Sequence, residues 1–138
     1  MRQTVKTRQT VICRLIGDVL QLSGKVRVCV SGSSMLPSIR PGDILLVQRT
    51  ELHEAATGDV VLFAREDRLI AHRVISQDCN NGIPCLVTRG DSLDKNDPPV
   101  FANGLLGRVT STFRGQSEIS SQLTLPRRVV SIFFKRSI

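Results

Sequence analysis

Pro41-Gly42-Asp43 and Gly58-Asp59 are tight turns, and each leads directly into an apolar run: Ile44-Leu45-Leu46-Val47-Gln48 after the first and Val60-Val61-Leu62-Phe63-Ala64 after the second. A chain punctuated in this way must be built from short strands that reverse at turns. Glu66-Asp67 form a further turn, and Leu69-Ile70-Ala71-His72-Arg73-Val74-Ile75 supplies the hairpin partner of the Val60 run. Upstream, Val26-Arg27-Val28-Cys29-Val30 alternates apolar and polar residues as a half-buried strand does. The expected fold is mainly β: a single compact antiparallel β domain, for which 138 residues with 41% hydrophobic content supply an adequate core. Ahead of it, apolar positions 12, 15, 16, 19 and 20 recur at helical spacing, with Thr10 as N-cap and Ser23-Gly24 as stop. These predict an N-terminal amphipathic helix from Thr10 to Leu22, preceded by a loose polar stretch over 1–9. Thr110 to Gln122 reads as a strand and polar turn. Beyond Pro126, a short apolar cluster lies between basic pairs and reads as a terminal helix or strand. The division expected is a basic segment and helix over 1–25, a β domain over 26–113, and a basic extension over 114–138.

The net charge of +7 is concentrated at the ends. Residues 1–28 carry six Lys or Arg against one acid, residues 114–138 five against one, and the middle has eight against ten. Basic termini of this kind are either a solvated face or a peripheral contact with an anionic surface such as a membrane leaflet. Nucleic acid is not an expected partner: with no Trp, no Tyr and five Phe, few side chains are available to stack on bases. The first 25 residues also have room for only one good helix, not a recognition-helix pair. No run approaches the roughly 20 apolar residues of a membrane-spanning helix. The best N-terminal candidate is interrupted by Arg14 and Asp18, so a cleaved export signal is not expected either. The expected location is the cytoplasm or the periphery of a membrane. Four cysteines without a C-x-x-C pair, alongside two histidines, predict neither zinc nor any other cofactor. Cys79 and Cys85 flank the turn sequence Asn80-Asn81-Gly82-Ile83-Pro84 and stand where a hairpin could join them, although thiols are expected in a cytoplasmic chain. Cys13 and Cys29 read as small core residues.

Candidate chemistry begins where the Val26 strand runs into Ser31-Gly32-Ser33-Ser34-Met35-Leu36-Pro37. Gly32 and Pro37 make the chain turn, which presents Ser34 at a strand end with backbone N–H groups nearby. That is the setting a nucleophilic serine needs, although the same letters also suit a plain turn. His72 shares a strand face with Ile70 and Val74, while Arg73 points the other way. A histidine so placed is commonly a satisfied core residue. It precedes Thr88-Arg89-Gly90-Asp91-Ser92-Leu93-Asp94-Lys95-Asn96-Asp97-Pro98-Pro99, too rich in Asp, Asn, Gly and Pro for regular structure. A carboxylate from this loop that reached His72 would fix the tautomer able to accept a proton from Ser34.

The blocks Ser34-Met35-x-Pro37 with Gly42-Asp43, Gly58-Asp59-Val60-Val61-x-Phe63, His72-Arg73-Val74, Thr88-x-Gly90-Asp91 with Asp97, and Gly107-Arg108-Val109 stand in an order and separation that resembles the type I signal peptidases. The resemblance covers residues 26 to about 110. The wider clan, which includes the LexA-like self-cleaving repressors, mostly pairs its serine with a lysine. A histidine followed by Arg-Val is instead similar to the archaeal and endoplasmic-reticulum branch. The resemblance implies a signal-peptidase/LexA-like β fold with Ser34 as nucleophile, His72 as general base, Asp97 as the orienting carboxylate and Asp91 as a second acid supporting the site. Gly32, Met35, Pro37 and Arg73 are the residues expected to shape it. Gly32 stands where many relatives place a serine whose hydroxyl helps form the oxyanion hole, so stabilisation would rest on backbone N–H groups, including that of Ser34. Family members normally carry a hydrophobic N-terminal anchor, and this chain shows none. The expected function is that of a serine endopeptidase cutting an extended peptide or protein substrate docked by strand addition. The alternative is a non-catalytic β module that binds peptides or a membrane surface, in which the three side chains do not converge.

Overall fold

The computed structural model describes residues 2–121 and 130–132, with side chains described over 10–119. Helix α1 (Arg2–Ser23) is followed by β1 (Lys25–Cys29), β2 (Ile44–Arg49), a 3-10 turn (Leu52–Glu54), β3 (Val60–Arg65), β4 (Arg68–Asn80), β5 (Ile83–Arg89), β6 (Val100–Phe101), β7 (Leu105–Arg114), β8 (Ser117–Ser121) and β9 (Val130–Ile132). The strands form one sheet in the order β6-β5-β4-β3-β7-β2-β1-β9, with β8 paired to β7. All pairings are antiparallel except β1 with β9. The mainly antiparallel β fold with one N-terminal helix is the one the turn pattern predicts.

Two long strands change partners along their length, and this gives the sheet its shape. In β7, residues 105–108 pair with β3, residues 107–113 with β2, and residues 111–114 with β8. In β4, Arg68 to Arg73 pair with β3, whereas β5 joins on the opposite side only from Arg73 onward. The Arg68–His72 stretch therefore has a described strand neighbour on one side only, and the other backbone edge faces a groove.

Side chains of the central strands alternate into two apolar layers. Val60, Leu62, Leu69 and Ala71 join Val26, Val28, Leu45 and Val47 under the helix residues Ile16 and Leu20. Val61, Phe63 and Val74 join Leu86, Val100 and Ala55 on the other face, with Ile70 packed against them. Burial on both sides explains why β3 reads as an unbroken apolar run. The two Gly-Asp turns are built alike. Gly42 and Gly58 sit at φ of 93° and 95°, a left-handed conformation that glycine adopts freely. In each turn the aspartate reaches back three residues: the Arg40 N–H donates to Asp43 at 2.8 Å and the Ala56 N–H to Asp59 at 2.9 Å. Strand β7 supplies both aspartates with a cation, Arg114 for Asp43 and Arg108 for Asp59.

Several expectations are corrected. The helix begins at Arg2 rather than Thr10, since residues 2–9 contain neither Gly nor Pro to stop it, so 2–9 is not a loose lead-in and residue 1 lies outside the described residues. Its end is as expected: Gly24, at φ 76°, donates its N–H to the Leu20 carbonyl. Cys79 and Cys85 do not face each other, because the register pairs Cys79 with Pro84 and Asp78 with Cys85, and alternation sends the two thiols to opposite faces. All four cysteines are free thiols. Cys13 packs against the first apolar layer, but Cys29 is half-buried on the strand face opposite Val26 and Val28 and is not a core residue. In the C-terminal segment, Val130–Ile132 is a strand, and the basic pairs around it lie outside the described residues. Among the described residues, no helix is long and apolar enough to cross a membrane.

Leu20, only 1% exposed, is a main contact of α1 with the sheet. Leu20→Ala is expected to lower stability by about 2–5 kcal/mol, the cost of opening a cavity in a packed core. Urea titration measures this, and a loss below about 1 kcal/mol would show that the helix is not part of the folded core.

Candidate active site

Chain reversal after β1 sets Ser34 at the start of a compact turn. The Leu36 N–H returns to the Ser33 carbonyl at 3.2 Å, and the Ile39 N–H to the Met35 carbonyl at 3.0 Å. The turn includes a cis Leu36–Pro37 peptide. Met35 and Ile39 point into the core and anchor the turn, leaving Ser34 half-exposed above it. The Ser34 N–H donates to no other described group and remains available to an oxyanion.

Ser34 Oγ lies 3.0 Å from His72 Nε2, and His72 Nδ1 lies 2.6 Å from Asp97 Oδ2. The Thr88 hydroxyl donates to the same Asp97 oxygen at 2.7 Å, and the Asp97 N–H to the Thr88 carbonyl at 2.8 Å. With its Oδ2 facing two donors, Asp97 selects the tautomer that carries hydrogen on Nδ1 and leaves Nε2 as acceptor toward the serine. His72 is 6% exposed, and the Phe63 ring meets it edge-on at 6.2 Å between centroids, so the imidazole is held by packing as well as by hydrogen bonds.

Asp91 does not touch the imidazole. It receives Arg73 Nε at 2.8 Å and Arg73 Nη2 at 2.8 Å, and the Ser38 hydroxyl at 2.6 Å. Arg73 also donates to the Gly58 carbonyl at 2.8 Å, and the Asp91 N–H is 3.4 Å from Met35 Sδ. Asp91 thus ties the Ser34 turn, the second Gly-Asp turn and its own loop together. Gly32 lines the groove beside Ser34 without contributing a polar side chain, and Pro37 is exposed and is not among the groove's lining residues.

Four contacts had no part in the sequence argument for the site. Ser92 donates its N–H and its hydroxyl to the Ser34 carbonyl, both at 3.0 Å. Gly90 passes so close that a Cβ there would sit 2.7 Å from the Ser34 carbonyl oxygen and 3.1 Å from His72 Nε2. Arg65 stacks over Phe63, 5.1 Å from the ring centroid, and donates to the Pro98 and Pro99 carbonyls at 2.8 and 2.7 Å, which pins the loop just after Asp97. The fourth contact is the Thr88 hydroxyl. Gly90 and Thr88 belong to a block already quoted from the sequence and could have been found there. Nothing in the sequence points to Arg65 or Ser92. Among the described residues, no group of His, Cys, Asp or Glu is arranged to hold a metal ion.

The groove has a volume of about 390 Å³ and runs from Gly32, Ser33 and Ser34 on one wall to Arg68 through His72 on the other, with Leu93 at its rim. The Val74 N–H bonds Asp59 and the Gly58 N–H bonds the Val74 carbonyl, so even-numbered positions of β4 turn their backbone groups toward the β3 side. Leu69 and Ala71 accordingly turn theirs toward the groove, ready to pair with an added strand.

The Arg73 guanidinium holds the Asp91 carboxyl below its ordinary value; burial opposes this, and the Ser38 hydroxyl assists. A depressed folded-state value stabilises the protein above the unfolded value and loses that contribution as the pH falls through the folded one. Asp91→Asn is therefore expected to be less stable than the parent at about pH 7, with the gap closing below about pH 4. Denaturant titrations at both pH values measure this, and a gap that persists in acid would overturn it.

A family model described as Peptidase S24-like matches residues 12–84, which includes Ser34 and His72 and stops short of Asp91 and Asp97. The chain is 32% identical over 100 residues to the signal peptidase complex catalytic subunit SEC11 of Scheffersomyces stipitis, covering 71% of this chain and 59% of that relative. The subunit of the same name from Lachancea thermotolerans is 38% identical over 80 residues, 54% of this chain and 46% of the relative. That of Fusarium vanettenii is 34% identical over 80 residues, 56% of this chain and 46% of the relative. The chain spans about half the length of these curated relatives. With more than half of its residues matched by the family model and a mainly antiparallel β fold of the corresponding kind, this chain belongs to the Peptidase S24-like family.

Proposed function

We propose that the protein is a serine endopeptidase of signal-peptidase type in which Ser34 is the nucleophile, His72 the general base and Asp97 the residue that orients it. The observation that carries the reading is the unbroken line Ser34 Oγ, His72 Nε2, His72 Nδ1, Asp97 Oδ2, with links of 3.0 and 2.6 Å, beside an open strand edge. An extended peptide enters the groove and pairs with the free backbone groups of Leu69 and Ala71. Nε2 takes the Ser34 proton as Oγ attacks the scissile carbonyl, and the Ser34 N–H receives the developing oxyanion. The imidazolium, steadied by Asp97, then gives that proton to the departing amine. Water, deprotonated in turn by Nε2, releases the acyl half and restores the serine. Since Gly32 has no hydroxyl, the oxyanion rests on backbone donors, each worth about 3 kcal/mol of barrier lowering in such sites.

The relatives' printed name, catalytic subunit of the signal peptidase complex, supports a protein substrate and assembly with other subunits. Membrane contact through the basic termini is a further part of the proposal. The alternative of a non-catalytic binding module called for a serine, histidine and aspartate that do not converge, and the distances of 3.0 and 2.6 Å favour catalysis over it.

A serine-directed acylating probe tests the reading. The intact protein is expected to label at Ser34 and Ser34→Ala not at all. His72→Ala should label about 10²- to 10⁴-fold more slowly, the range of general-base assistance. Gly90→Ala, whose added methyl would part Ser34 from His72, should lose about 10²-fold. Labelling of intact protein no faster than that of Ser34→Ala would overturn the proposal.

A further inference from the structure

Among the described residues, one titratable side chain besides His72 lines the groove, Arg68, and no carboxylate does. Arg68 stands directly across the β3–β4 ladder from Arg65, so two guanidinium groups share one face, an unfavourable pairing on its own. Arg65 is engaged with Phe63 and the Pro98 and Pro99 carbonyls. The Arg68 side chain is exposed and makes no hydrogen bond or ion pair among the described residues, not even with Glu66 or Asp67 in the adjoining turn. It lies on the same strand face as Ile70 and His72, four residues from the candidate base, about 13 Å at roughly 3.3 Å per residue.

From this arrangement we infer that Arg68 is a specificity-determining residue that pairs with an acidic side chain of the substrate, four residues upstream of the one carrying the scissile carbonyl. The inference rests on the peptidase reading and deepens it. After the amine half departs, the acyl half stays esterified to Ser34 until water arrives, so the walled groove must hold that half alone. A peptide laid in register along β4 turns every second side chain to the face of His72, Ile70 and Arg68. The scissile residue then faces His72, the residue two upstream meets the apolar Ile70, and the residue four upstream meets Arg68. An exposed pair of this kind contributes little, so the preference is about two- to five-fold and fades as salt rises.

The test uses three peptides that differ only at that position, carrying Asp, Asn or Lys. Their kcat/KM is measured with the parent and with Arg68→Glu at about 50 mM and about 500 mM salt. The parent is expected to favour Asp over Asn over Lys, Arg68→Glu to reverse the order, and high salt to flatten both series. The same ranking in the two proteins, or no ranking in the parent, overturns the inference while leaving the peptidase reading intact. Binding of the labelled peptides to Ser34→Ala, followed by fluorescence anisotropy, separates the two claims. Preferential binding of the Asp peptide without cleavage by the parent would support the role of Arg68 and sink the catalytic reading. Absence of both binding and cleavage would overturn both.

Discussion

The partner exchange along β4 is the constraint on which the site depends. Because β3 pairs with the whole of Arg68–Arg73 while β5 joins only at Arg73, the strand carries His72 at the last position before its second edge becomes occupied. One side of that strand gives rigidity, since β3 is buried on both faces and Phe63 abuts the imidazole. The other side gives access, since the backbone of Leu69 and Ala71 lacks a described neighbour.

The remaining members come from loops, which must be held to within a fraction of an ångström to act together. Here the loop after β5 is fastened at several points. Ser92 grips the Ser34 carbonyl, Asp91 bridges Arg73 and Ser38, Thr88 holds Asp97, and Arg65 secures the two carbonyls that follow it. Gly90 permits this closeness, because the loop crosses where a methyl group would collide with Ser34 and His72. Asp91 and Asp97, six residues apart in one loop, divide the work. One ties neighbouring segments together through a bidentate arginine, and the other addresses the imidazole. The environment of each, a guanidinium for one and a ring nitrogen with a hydroxyl for the other, makes that division.

Much of the fold was legible because its signals are local. Gly-Asp pairs mark turns by their local chemistry, and five-residue apolar runs between such turns are too short for ordinary helices and read as buried strands. Thr10 misled because it has the chemistry of an N-cap, yet capping chemistry does not stop a helix whose preceding residues also favour it. Cys79 and Cys85 misled because their separation fits a hairpin, while a register offset by one residue sends their side chains apart.

The sequence by itself determined most of the elements and their reversal into an antiparallel sheet; it offered Ser34, His72 and a carboxylate of the loop over 88–99 as candidates, and singled out Asp97 only through the resemblance to a known family. Tertiary structure alone decided that Ser34, His72 and Asp97 meet in one hydrogen-bonded line, that Asp91 binds Arg73 and Ser38 rather than the imidazole, and that Arg65 and Ser92 brace the loop. It also decided that, among the described residues, Arg68 has no side-chain partner at the end of the groove. The physical reason is range. Turn and strand preferences are set by a few adjacent residues, whereas a hydrogen bond between positions 38 or 58 apart depends on every strand register between them.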